Sequence, residues 1–247
     1  IPVTIMQVEE IPEYMKYVGM TYKRGNEVRT HDPSDLQFFT LSRFMPPELM
    51  RYEGRALVID PDIFALQNIT SLFEINLQGH SIAACTKYGD EGAWDSSVML
   101  LETEKLPHWK IGTLLEQLKQ GTLDYTSLMQ LKKEKTLTIP RTWNSLDMAN
   151  QKTYLLHLTN RLTQPWKTGL PVDFTPGTVP KMFGILPRFW VPRPMHYQPH
   201  PNKKIEKMFF ELTQQAFKNG VITTEMIEDE VVQKNIRSDF LSLITSS

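Results

Sequence analysis

Cysteine is nearly absent. Cys85 is alone, so no internal disulfide framework can form. A lone thiol fits a reducing compartment, and a cytoplasmic location is the expectation. No apolar run approaches the roughly 20 residues that cross a bilayer, so no membrane span is expected. Neither an initiator Met nor a charged n-region precedes Ile1-Pro2-Val3. No signal peptide is visible, and this start reads as a point partway into a longer protein. An excess of one charge is lacking too: 27 basic residues stand against 28 acidic ones, a net charge of −1. A nucleic-acid binder shows a basic excess or stripe, so nucleic acid is not an expected partner. Internal repeats and low-complexity tracts are also missing.

What remains is an ordinary globular composition. With 247 residues, 40% hydrophobic and 22% charged, the chain suits one large α/β domain or a domain plus an appended segment. Val3 to Val8 reads as a short strand ended by Glu9, Glu10 and Pro12. Turn signals follow at Gly25-Asn26 and Asp32-Pro33. Asp35 is placed to cap a helix over 36–44, which Pro46-Pro47 interrupts before another turn begins. Ala56 to Ile59 is a compact apolar run of the kind found in a central parallel strand buried on both faces. Ser81 to Cys85, Ser97 to Leu101 and Tyr154 to Leu158 are further strands. Pro107 opens a helix with Ile111, Leu114, Leu115 and Leu118 on one face and Gly121 as its stop. Thr126 to Lys133 is a shorter helix. A proline-rich stretch from Gln164 to Pro201 suits an extended wrap or a long loop. Ile205, Met208, Phe209, Leu212 and Ala216 then mark an amphipathic helix stopped by Gly220, and Thr224 starts a last one.

The chemistry gathers at strand ends. Asp60 and Asp62 close the Ala56–Ile59 run, at the carboxyl edge where open α/β sheets bind ligands. Paired carboxylates suit Mg²⁺ or Mn²⁺, which also take phosphate oxygens. The competing possibility is a solvated Asp-Pro-Asp turn. His157 ends another apolar strand, where an imidazole either completes a coordination shell or simply hydrogen-bonds at the sheet rim. Arg161 and Lys167 just downstream are cations able to meet a phosphate, or else solvated side chains on a loop.

These residues resemble a known family. Leu41-Ser42-Arg43-Phe44-Met45-Pro46-Pro47-Glu48-Leu49, with Gly54-Arg55-Ala56-Leu57-Val58-Ile59-Asp60-Pro61-Asp62, resembles a signature block of family 8 glycosyltransferases, the glycogenin and galactosyltransferase group. Trp143-Asn144, His157-x-Thr159 and Pro165-Trp166 resemble its later elements, in the same order. The resemblance covers about residues 36–167 and implies an A-type glycosyltransferase fold: a Rossmann-like mixed sheet with helices on both faces, then a proline-rich and helical C-terminal extension. It divides the chain into a nucleotide-sugar-binding catalytic domain, residues 1–167, and an extension, residues 168–247. The family's first βα unit is expected to lie before Ile1.

The resemblance further implies a metal-dependent, retaining transfer from a UDP-sugar to a hydroxyl of a carbohydrate or other acceptor. Asp60, Asp62 and His157 match the ligands of a Mn²⁺ (or Mg²⁺) ion. Arg43 matches a donor-binding arginine. Trp94 to Met99 resembles the strand beside the donor sugar, making Asp95 and Ser96 candidates for hydroxyl recognition. Asp124 is the candidate nearest the reacting carbon. Asn160 and Gln164 replace the family's usual Gly and Lys, which leaves the phosphate contact to Arg161 or Lys167. Two alternatives stay open. One is a non-catalytic, glycosyltransferase-like binding domain. The other is an interaction module using the proline-rich segment with Phe189, Trp190 and Tyr197 exposed.

Overall fold

The computed structural model describes residues 6–35, 37–174, 181–182, 186–187 and 195–246. Its contacts divide the chain into two compact units: residues 1–145 with 151–156, and residues 146–150 with 157–247. The first half of the strand expected over Val3 to Val8, residues 3–5, lies outside the described residues, and Met6 and Gln7 are not in a strand. Val8 itself opens a 3₁₀ turn, Val8–Glu10.

In chain order the first unit holds α1 (Pro12–Met15), β1 (Thr21–Arg24), β2 (Glu27–Thr30) and α2 (Pro46–Leu49). It continues with β3 (Arg55–Ile59), β4 (Ile63–Ala65), α3 (Thr70–Phe73), β5 (Ile82–Lys87) and β6 (Asp90–Glu102). α4 (Ile111–Gln120), α5 (Tyr125–Met129) and β7 (Thr136–Thr138) follow, then β8 (Ser145–Leu146) and β9 (Leu155–His157), whose last residues, Leu146 and His157, belong to the second unit. The segment with turn signals at 25–26 is a hairpin, β1 against β2, with Gly25 at φ 62 in the turn. Residues 36–44, expected as α-helix, form a 3₁₀ helix over Phe38–Phe44 that ends as the prolines begin.

The main sheet has the order β3-β6-β5-β7. β3 and β5 run antiparallel to β6, and β7 runs parallel to β5, so the sheet is mixed, as an α/β reading anticipates. One expectation needs correcting. Ala56 to Ile59 is an edge strand of this sheet and antiparallel to its neighbour, not a central parallel one, and Ile59 is 43% exposed. The centre belongs to β5 and β6. Ile82 to Cys85 and Val98 to Leu101 are almost fully buried because both sheet faces are covered.

Alternation along these strands supplies two cores. Ala56, Val58, Ile82, Ala84, Met99 and Leu101 join the apolar face of α4 and the rings of Phe44 and Trp109. Ala83, Cys85, Val98 and Leu100 pack with Ile139, Trp143 and Leu155. At roughly 25 cal/mol per Å² of apolar surface, this two-sided burial is the main stabiliser of the unit. α4 starts at Ile111, whose N–H donates to the Glu48 carboxylate at 3.1 Å, and stops at Gly121 in the left-handed region, φ 72. Glu134 accepts the indole N–H of buried Trp109 at 2.9 Å, so the ring's one polar atom is satisfied.

The second unit carries short strands β10 (Lys181–Met182) and β11 (Leu186–Pro187), then α6 (Lys203–Lys218), α7 (Thr224–Val232) and α8 (Phe240–Thr245). Asn202 caps α6 and Thr223 caps α7, each accepting a backbone N–H. Ile205 and Phe209 form the buried stripe of α6, and the Phe209, Phe210 and Phe240 rings pack edge to face. α8 lacked a readable signal because its short apolar run has no N-cap side-chain bond or glycine stop. Among the described residues no helix is long and apolar enough to cross a membrane.

Candidate active site

β3 delivers Asp60 to the end of the sheet. The Asp60 N–H donates to the carbonyl of Ser97 at 3.0 Å, which continues the β3–β6 ladder by one rung. Pro61 has no N–H to extend it, and Ile63 N–H turns back to the Asp60 carbonyl at 3.2 Å. Asp60-Pro61-Asp62 is therefore the turn between β3 and β4.

Arg43, at the end of the 3₁₀ helix, fills the space beside this turn. Its Nη2 donates to Oδ1 of Asp60 at 2.7 Å, its Nη1 to Oγ of Ser96 at 2.9 Å, and its Nε to the carbonyl of Thr40 at 3.0 Å. The Arg43 and Asp60 side chains are only 10% and 22% exposed. A planar guanidinium with three engaged edges is oriented rather than merely attracted. Three residues singled out in the sequence thus meet at one point.

Asp95, Ser96 and Ser97 lie in a bulge of β6. Ala84 pairs with Met99 and Thr86 with Trp94, so Cys85 alone stands opposite the four residues Asp95 to Val98. Such bulges re-aim side chains that a regular strand would point alternately. Ser96 turns to Arg43. Ser97 Oγ accepts from Asn144 Nδ2 at 2.9 Å. Asp95 pairs with Nη1 of Arg141 at 2.5 Å, and Arg141 also donates to the Thr86 carbonyl and lies 4.4 Å from the Tyr88 ring centroid. Asp95 and Ser96, adjacent in sequence, are thus committed to different arginines. No sequence pattern announced Arg141 as the partner of Asp95; Asn144 stood only in the Trp143-Asn144 pair.

His157 is the last residue of β9, directly after Leu155 and Leu156, and is 8% exposed. Asp60, Asp62 and His157 each offer one ligand atom, and the three atoms lie within 4.8 Å of one another. Two carboxylate oxygens and an imidazole nitrogen fit a divalent cation.

The remaining candidates are engaged locally. Asp124 is the N-cap of α5, its carboxylate accepting the Ser127 N–H at 2.7 Å. Arg161 lies 5.5 Å from the Phe174 ring centroid. Lys167 is ion-paired with Asp173 and lies 5.3 Å from the Tyr197 ring centroid. Asp173 also accepts from the Tyr197 hydroxyl at 2.5 Å. Burial pushes the Asp173 carboxyl up, but the bonds from Lys167 and Tyr197 outweigh it and hold the group below its ordinary value. Tyr197, expected among exposed aromatics, is buried at 3% because its hydroxyl has found this partner. Phe189 and Trp190 lie outside the described residues.

The family model described as glycosyl transferase family 8 matches residues 4–163, and the chain belongs to that family. Among solved structures, the glycosyltransferase GlyE of Streptococcus pneumoniae TIGR4 is 19% identical, with a TM-score of 0.39 over 55% of this chain and 41% of that one. The galactosyltransferase LgtC, solved with donor and acceptor sugar analogs, is 15% identical, with a TM-score of 0.40 over 52% of this chain and 60% of that one. Mouse xyloside xylosyltransferase 1 is 13% identical, with a TM-score of 0.37 over 62% of this chain and 72% of that one. The chain thus spans less than two thirds of the GlyE and LgtC chains. No curated protein sequence matches it.

Proposed function

We propose that this chain is a glycosyltransferase that takes a UDP-sugar as donor and passes the sugar, with retention, to a hydroxyl of a carbohydrate or similar acceptor. The observation that carries this is the convergence of Arg43, Asp60 and Ser96 at the β3 edge, in a family 8 chain whose Asp62 and His157 complete a metal-compatible donor set. A Mn²⁺ or Mg²⁺ ion held by Asp60, Asp62 and His157 would offset the negative charge that grows on a departing diphosphate.

Arg43 has two tasks in this reading. It locks Asp60 in one rotamer by a charge-assisted bond, and it sets positive charge beside the turn. Ser96 Oγ accepts from Arg43, which directs the hydroxyl proton outward to donate to a sugar oxygen. Arg141 positions Asp95 as an acceptor for sugar hydroxyls. Asp124 is occupied as a helix cap and Asp95 by Arg141, so neither stands as a ready nucleophile. Attack by the acceptor from the leaving-group face is therefore favoured over a covalent glycosyl intermediate.

A second reading, a glycosyltransferase-like binding domain without turnover, has one observation in its favour: Lys167 is committed to Asp173 and Arg161 to Phe174 instead of being presented to a phosphate. One experiment separates the two. UDP-sugar hydrolysis is followed with and without Mn²⁺, beside UDP-induced thermal stabilisation. Metal-dependent turnover that Asp62→Ala abolishes supports transfer. Stabilisation without turnover supports the binding domain, and neither response refutes both.

A further inference from the structure

The second unit contains a cavity of about 620 Å³ whose lining includes Asp147, Asn160, Thr163, His200 and Asn202. That volume lies within the roughly 300–1,000 Å³ range of small-molecule sites. Two buried atoms of its lining residues have no hydrogen-bond partner among the described residues: Oδ1 of Asp147 and Nε2 of His200. They stand 4.0 Å apart, too far to bond each other. His200 is 2% exposed.

The rest of each side chain decides what these atoms require. Oδ2 of Asp147 accepts the Thr159 hydroxyl. Nδ1 of His200 accepts the Asn202 N–H at 3.1 Å. The Asn202 carbonyl also lies 3.0 Å from Nδ1, but a backbone N–H keeps its proton whereas an imidazole can move one. In the tautomer in which Nδ1 accepts that N–H, Nε2 carries the proton. The pair presents one donor and one acceptor, and a single group that both accepts and donates satisfies them together.

A hydroxyl is such a group. A phosphate anion can accept from Nε2, but its negative charge is repelled by the Asp147 carboxylate. A divalent cation suits Asp147, but the positive charges of Lys203 and Lys204, which also line the cavity, oppose it. Asn160 and Thr163 also line the cavity and are polar, as a ring bearing several hydroxyls needs.

We propose that this cavity binds a neutral carbohydrate, with one hydroxyl seated between Asp147 and His200, accepting from Nε2 and donating to Oδ1. That the sugar is the acceptor of transfer rests on the glycosyltransferase reading; that the cavity binds a sugar does not.

The test is direct binding, in EDTA and without nucleotide, so that a failed donor site cannot mask it. Saturation-transfer NMR on the full chain would screen methyl glycosides of the common hexoses, N-acetylhexosamines and xylose, with inorganic phosphate titrated in parallel; Zn²⁺ is titrated in EDTA-free buffer. At least one glycoside should bind. His200→Asn, which keeps an acceptor near Nδ1 but loses the Nε2 donor, should weaken it about ten-fold. His200→Gln, which returns a donor near Nε2, should recover most of that loss. Thermal melting of each variant identifies any failure to fold. Binding of phosphate or Zn²⁺ but no glycoside, binding indifferent to both variants, or no binding at all overturns the proposal.

Discussion

Nη2 of Arg43 reaches Oδ1 of Asp60 at 2.7 Å, joining a 3₁₀ helix to a strand end 17 residues later in the chain. Because both side chains are largely buried, the pair is structural as well as functional. Arg43→Ala removes the guanidinium bonded to the Asp60 carboxylate and should lower stability by about 2 kcal/mol in urea unfolding. Arg43→Lys keeps the charge but loses the fork that also holds Ser96 and should recover only part of it. An unchanged unfolding midpoint for Arg43→Ala would show that the bond carries no weight.

Asp62 tests the metal while leaving the Arg43–Asp60 bond in place. UDP with Mn²⁺ at about 100 times Kd should stabilise the native chain by about 2.7 kcal/mol. Asp62→Ala and His157→Ala should each lose most of that gain, measured against each variant's own ligand-free melting. Equal stabilisation of wild type and both variants would remove the cation from the proposal.

Asp124 separates a cap from a nucleophile. As a cap, Asp124→Ala costs about 1 kcal/mol of stability, and Asp124→Ser, which still caps, costs less. Turnover in both should stay near wild type. A collapse of activity in both, with folding intact, would make this carboxylate the catalytic group.

Cys85 is 1% exposed, and burial pushes its thiol from an ordinary 9.0 up to about 12, the nearby Arg141 opposing only in part. The folded chain therefore favours the neutral thiol. This contribution is fully present below about pH 9 and is lost as pH rises from there toward 12, since the unfolded thiol ionises first. Buried Tyr14 and Tyr125, raised mainly by burial, push the same way. Stability should fall above pH 9, and Cys85 should resist a thiol reagent at pH 8 until denaturant is added. Rapid labelling of the native chain would contradict both expectations.

Much of this was legible in the residues. α4 and α6 follow from apolar spacing, and Gly121 marks the end of the first because only a left-handed residue closes that turn cheaply. The strands at 82–87 and 90–102 were seen only in part. β6 begins at Asp90 because a hairpin pairs its polar first half with β5, and pairing leaves no trace in local hydropathy. The edge position of β3 was misread for a related reason: a short apolar run looks the same in a central strand and at an edge whose inward residues are buried. Tyr197 was expected at the surface because its flanking prolines suggest an exposed loop, yet Asp173 draws its hydroxyl inward.

By itself the sequence determined which groups are available and where along their elements they sit: two carboxylates after a strand, an imidazole ending another, an arginine before a proline pair. These are properties of neighbours in the chain, and local spacing records them. Only the tertiary structure decided their employment. Arg43 went to Asp60 and Ser96, Arg141 took Asp95, Asp124 became a cap, and Lys167 turned to Asp173. A charge finds its partner through packing of segments distant in sequence, and no periodicity encodes that choice.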